Sequence, residues 1–63
     1  MTYTEVLAHF GNGNKFKIAT GIAYGNLWYW QHIGCIPLSM QFRIEDITKG
    51  ELKARIEDAK PRD

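Results

Sequence analysis

Gly21 stands between two short runs of helical spacing, and that placement constrains the fold more than any other feature of the sequence. Before it, residues 15–20 carry Phe16, Ala19 and Thr20 on one side of a helix. After it come Ile22, an apolar plug, and a second helical stretch over 24–32. A tight bend between two helices calls for positive φ, which glycine adopts at least cost. At about 100° per residue, Ala23, Asn26, Leu27, Trp30 and Ile33 share one side of the second stretch. Tyr24, Gly25, Trp28, Tyr29 and His32 share the other. The first set holds three large apolar side chains and should face inward, which leaves an aromatic face outward. Tyr24 and Trp28 stand four residues apart and are expected to stack.

Counted from Gly13, Phe16 is fourth, Ala19 seventh, Gly21 ninth, Ile22 tenth, Leu27 fifteenth and Trp30 eighteenth in a segment that ends at His32. The four large apolar residues of that set fix two helices at one angle about the glycine. This is the layout of a helix-turn-helix, whose second helix fits the width of a DNA major groove.

The rest of the chain reads as further short helices. Thr2 and Glu5 have capping-box spacing, Tyr3, Val6, Leu7 and Phe10 recur helically, and Gly11 stands where a helix ends. That gives a helix over about 3–10. Asn12, Gly13 and Asn14 form a turn cluster that supplies a cap for the next helix. Gly34-Cys35-Ile36-Pro37 breaks the chain, and Pro37 can open a helix that carries Ile44 and Ile47 inward and closes near Lys49 and Gly50. Residues 51–59 alternate as a strand would, yet Leu52, Ile56 and Ala59 equally fit a helix, and the residue types favour the helix. The expectation is an all-α domain of four to five short helices over 1–59, followed by a flexible tail at 60–63.

Composition narrows the function classes. In 63 residues Cys35 is the single cysteine, so no intrachain disulfide can form. His9 and His32 lie 23 residues apart with one thiol between them, which is no zinc set. A chain this short buries only about 60% of its unfolded surface, so it needs well-packed helices, a partner subunit, or both. No basic start and no long apolar run suggest a signal peptide or membrane span, and a reducing, cytoplasmic setting is expected. Glu45-Asp46 and Glu57-Asp58 are adjacent pairs whose members do not share a helix face, and Cys35 has no evident base beside it. No catalytic residue, cofactor, metal or small-molecule substrate is therefore expected, and the chain does not read as an enzyme. Net charge is +1, but residues 1–43 carry +2 and residues 44–63 carry −1. The basic side is the one with the helix-turn-helix, which permits a nucleic-acid partner without demanding one.

The ordered blocks Val6-Leu7-Ala8-His9-Phe10-Gly11, Ala19-Thr20-Gly21-Ile22, Leu27 with Trp30, Ile36-Pro37, Arg43-Ile44-Glu45 and Thr48-Lys49-Gly50-Glu51-Leu52 span about residues 3–52. In them the chain resembles the small Cro repressors of lambdoid phages, especially their all-helical branch, and the related Cro-like cell-division repressors. The resemblance implies a lambda-repressor-like fold and a phage or prophage transcriptional repressor. It would bind a short operator as a homodimer and occlude a promoter. Three positions depart from that pattern: Lys17 replaces a small residue, Gln41 replaces a common alanine, and the outward face of residues 24–32 is aromatic where Ser, Gln, Arg or Lys is usual.

On this reading Tyr24, Gly25, Trp28 and Tyr29 are the candidate base contacts. Asn14, Lys15, Lys17, Asn26 and His32 are the candidate phosphate contacts, the first three near a helix start where backbone N–H groups favour an anion. Arg43 is expected to pair with Glu45 or Asp46, and His9 to lie at the surface or cap the first helix. Met40, Phe42 and residues 51–59 are candidates for a dimer surface. Two other readings use the same scaffold: a protein-interaction module of the antirepressor or antitoxin kind that binds through Tyr24, Trp28 and Tyr29, and an accessory factor that bends DNA with an aromatic wedge.

Overall fold

The computed structural model describes residues 1–60; Pro61, Arg62 and Asp63 of the expected tail lie outside them. Four α-helices and a short 3-10 turn follow in chain order: α1 (Tyr3–Phe10), α2 (Gly13–Thr20), α3 (Gly25–Ile33), α4 (Leu38–Ile47) and η1 (Ile56–Ala59). No strand occurs among the described residues.

The first two helices start at side-chain caps. Thr2 accepts from the Glu5 N–H at 3.2 Å while Glu5 accepts from the Thr2 N–H at 3.0 Å, so the capping box forms in both directions. The Thr2 N–H, helped by the Thr2 hydroxyl and by Arg55, holds the Glu5 carboxyl below the ordinary carboxylate range. Asn12 caps α2 through the Lys15 N–H at 2.9 Å, and the helix starts at Gly13, two residues before the sequence suggests. The first turn therefore takes in the turn cluster itself.

The bend sits at Gly21, which is left-handed with φ 74° and ψ 3°. Thr20 reinforces it: its hydroxyl donates to Phe16 O at 2.8 Å and accepts from the Ile22 N–H at 3.1 Å. The chain thus leaves α2 with these buried polar groups satisfied, and Ile22 drops into the core. No atom lies within 4 Å of a Cβ built at Gly21, so alanine there meets no clash and only the backbone strain. Gly21→Ala should cost about 1–2 kcal/mol in urea unfolding. A change within a few tenths would place the bend elsewhere.

Val6, Phe16, Ile22, Leu27, Trp30, Ile36, Ile44 and Leu52 form the core, joined by Met1. Phe10, Phe16 and Trp30 make an edge-to-face series at 5.3 and 6.1 Å between ring centres, tying α1 and α2 to α3. Ile33, expected inside, is half-buried against this core, as is Met40. Ile47 is half-buried as well.

Several expectations need correction. Ala23 is exposed because it precedes α3, so helical phase does not apply to it. Ala19 is exposed at the margin of the α2 stripe that Phe16 and Thr20 occupy. Residues 51–59 form neither a strand nor an α-helix: 51–55 are irregular and only η1 winds. Leu52 is buried, Ile56 is exposed and Ala59 is half-buried, so the three share no inward face. The reason is hydrogen bonding. The Ala54 N–H donates to Glu45 Oε1 at 2.6 Å and the Arg55 N–H to Gln41 Oε1 at 2.9 Å, so side chains of α4 take the donors a helix would use. Lys49 and Gly50, at φ 54° and 82°, have already turned the chain out of α4.

The segment is fastened to the other end of the chain. The Met1 ammonium donates to Gln41 Oε1 at 2.7 Å and to Lys53 O at 2.9 Å, and lies 3.1 Å from Asp58 Oδ2. Gln41, fully buried, also donates from Nε2 to Ile36 O at 2.9 Å. Arg55 bridges Glu5 at 3.0 Å and Asp58 at 3.1 Å. Asp58 Oδ2 is buried without an aligned hydrogen bond, so its compensation is ionic, from the Met1 ammonium and the Arg55 guanidinium.

Candidate nucleic-acid interface

The bend at Gly21 and the two anchors of α3 decide what faces solvent. Leu27 and Trp30 are buried, so the opposite side of α3 must project outward. Tyr24, Trp28 and Tyr29 are 61%, 66% and 53% exposed, which puts three large rings in water, two on α3 and one at its cap position. Single exposed apolar side chains are ordinary; three large exposed rings so close in the chain mark a candidate contact surface. Gly25 is open on this face, with no atom within 4 Å of a built Cβ. His32 is exposed at its far end.

The rings are not arranged as their spacing suggests. Trp28 stacks on His32, with ring centres 5.6 Å apart and planes 6° from parallel. The expected Tyr24–Trp28 stack does not form, because Tyr24 stands at the cap position just before α3. Tyr24 instead lies over the start of α2: a Cβ added to Gly13 would come within 3.3 Å of Tyr24 Cβ. Gly13 thus lets the entry to α3 close down on α2. The helix itself runs one residue later than its spacing implied, Gly25–Ile33 against 24–32.

The polar candidates divide into two groups. Asn14, Lys15 and Lys17 are exposed on α2, whose first turn carries no acidic residue. The Lys15 stem passes over Gly11, about which a built Cβ would stand 3.4 Å from Lys15 Cδ. Asn26 is half-buried and its amide donates to Ala23 O at 3.1 Å, so it serves the start of α3. Gln31, which the face assignment passed over, is exposed at its edge and lines a cleft of about 480 Å³ with Thr2, Tyr3 and Gly34. Its helical phase sets it beside Tyr24, at the margin of the outward set.

Arg43 corrects another expectation. It is exposed and makes no ion pair with Glu45 or Asp46 among the described residues, because Glu45 is turned to the Ala54 N–H instead. His9 lies 3.5 Å from Glu51 and edge-on to Phe10. Cys35 is buried in the connection before α4. No group of three or more His, Cys, Asp or Glu side chains stands where it could hold a metal among the described residues, and no helix is long and apolar enough to cross a membrane.

The fold has a counterpart among known proteins. A family model described as DNA-binding transcriptional regulator Cro matches residues 2–63. A solved structure of N15 Cro complexed with consensus operator DNA superposes with a TM-score of 0.82 at 32% identity, over 90% of this chain and 90% of that one. No curated protein sequence matches the chain.

Proposed function

The chain belongs to the family of the DNA-binding transcriptional regulator Cro, and on that premise we propose that it represses a promoter by laying α3 in the major groove of a short operator. The observation that carries this is the outward aromatic face of α3, fixed by Leu27 and Trp30 behind it. Tyr24, Gly25, Trp28 and Tyr29 then meet base edges. Asn14, Lys15 and Lys17, with His32 at the other end, meet phosphates and set the register. Asn26 acts through the start of α3, where its amide donates to Ala23 O. The phosphate contacts supply most of the affinity, and operator shape adds to specificity.

A second copy of the chain would place two α3 helices in successive major grooves, about 34–36 Å apart on one side of the duplex. The exposed side chains of Phe42 and Ile56 support such pairing, and Met40 is half-buried. The protein works where the DNA is, in the cytoplasm of a bacterium or phage-infected host. Repression needs no cofactor and no chemistry: bound protein excludes polymerase.

A gel shift with DNA from upstream of the gene, repeated over a salt series, tests the reading. Specific binding should fall steeply with salt, as counterion release requires. Trp28→Ala should weaken specific binding tenfold or more, about 1–3 kcal/mol for a lost base contact, with helical content unchanged. Binding unaffected by Trp28→Ala would remove α3 from the groove. Binding without sequence preference, with mobility that follows bend position, would favour the bending factor instead.

A further inference from the structure

We infer that the Trp28–His32 stack reads a thymine through its C5-methyl group, so that this chain selects its operator by methyl contact more than by hydrogen bonds to guanine. The inference rests on the reading that α3 occupies the major groove, and specifies what it recognises there.

The argument starts from what α3 lacks. Its sequence, GNLWYWQHI, contains no Arg and no Lys. The commonest specific contact in a major groove is a bidentate Arg or Lys on guanine O6 and N7, and this helix cannot make it. Adenine is usually read by a bidentate Asn or Gln amide. Asn26 spends its amide on Ala23 O, and Gln31 lies to the side, at the cleft with Thr2 and Tyr3. The centre of the face is left with rings.

Of the four pyrimidine and purine edges in that groove, only thymine's presents an apolar group, the C5-methyl. A ring face held in water is the natural partner for it. Trp28 is 66% exposed, and its plane is fixed by the parallel imidazole of His32 beneath the next turn. Fixing the plane matters: a ring that is already oriented loses less freedom on contact than a free one. Gly25, with open space around it, lets the groove floor approach beside the rings. The two tyrosine hydroxyls and the indole N–H remain for phosphates or base edges, since each ring carries a polar tip.

Deoxyuridine separates this from recognition by hydrogen bonds, because it keeps thymine's hydrogen-bonding edge and lacks only the methyl; Trp28→Ala then separates it from duplex shape. Duplexes are enriched on the whole chain from a random-sequence library, and each thymine of an enriched duplex is replaced singly by deoxyuridine. At one or two positions in each half-site the affinity should drop about fourfold, the worth of burying one methyl-sized group. Trp28→Ala should bring the thymine-to-deoxyuridine ratio at those positions close to one, and His32→Ala should reduce it by loosening the indole. The wild-type series stands even if a variant fails to fold. An enriched duplex indifferent to every replacement overturns the methyl inference while leaving α3 as a DNA reader. A ratio that persists in Trp28→Ala overturns it too, since another residue then meets the methyl. Failure to enrich any sequence overturns both the inference and the function it rests on.

Discussion

Trp30→Ala should leave this domain at the edge of unfolding at room temperature. The indole is 2% exposed and edge-on to Phe16, at the point where α3 meets the Phe10 and Phe16 rings of α1 and α2. Emptying such a site costs about 3–5 kcal/mol, from lost burial and from the cavity left behind. A domain of 63 residues has only about 3–9 kcal/mol in all at the usual value per residue. Thermal unfolding followed by circular dichroism measures it, with expected loss of most of the cooperative transition. The contrast with Trp28, two residues earlier and exposed, is the sharpest check on the orientation of α3. If Trp30→Ala unfolds within 1 kcal/mol of the natural chain, the helix is rotated and the rings assigned to the groove belong to the core.

Gln41→Ala should cost about 3 kcal/mol, although the side chain carries no charge. Its amide serves three partners in a fully buried place: the Met1 ammonium, the Arg55 N–H and Ile36 O. Removing it leaves those groups underbonded, at about 1–3 kcal/mol for each buried group left without a partner, or about 3–9 kcal/mol for the three. Relaxation and the ammonium's remaining contacts with Lys53 O and Asp58 hold the sum toward the lower part of that range. The urea midpoint should fall, and residues 51–59 should become the first site of proteolysis because Arg55 loses its main-chain anchor. A loss below 1 kcal/mol would show that water reaches the ammonium.

What could be read from the sequence was the part governed by near neighbours in the chain. Thr2 with Glu5, Gly21 at the bend, and Leu27 with Trp30 are local arrangements, and each took its expected form. The face of α3 was legible for the same reason: two inward anchors on one helix dictate the other side. Its internal arrangement was not. Four-residue spacing fits Tyr24 with Trp28 as well as Trp28 with His32, and the choice turns on where α3 begins: Tyr24 falls at the cap position, over Gly13 at the start of another helix.

The C-terminal segment was misjudged for a related reason. Its side chains favour a helix, yet its backbone donors go to Glu45 and Gln41 on α4. Propensity counts the residues of a segment and cannot see acceptors supplied from outside it. Gln41 stood out as a departure from the alanine of similar proteins, but its main partner is a main-chain ammonium 40 positions away, which no pattern of side chains announces.

That ammonium makes the longest-range tie in the domain. Residue 1 finds its hydrogen-bond acceptors on residues 41 and 53 and its counter-charge on residue 58. The helices can wind early, since their contacts are near in sequence. Joining residue 1 to residue 58 closes a loop of nearly all the described chain, an entropy that must be met before the contact rewards it, so this fastening forms last.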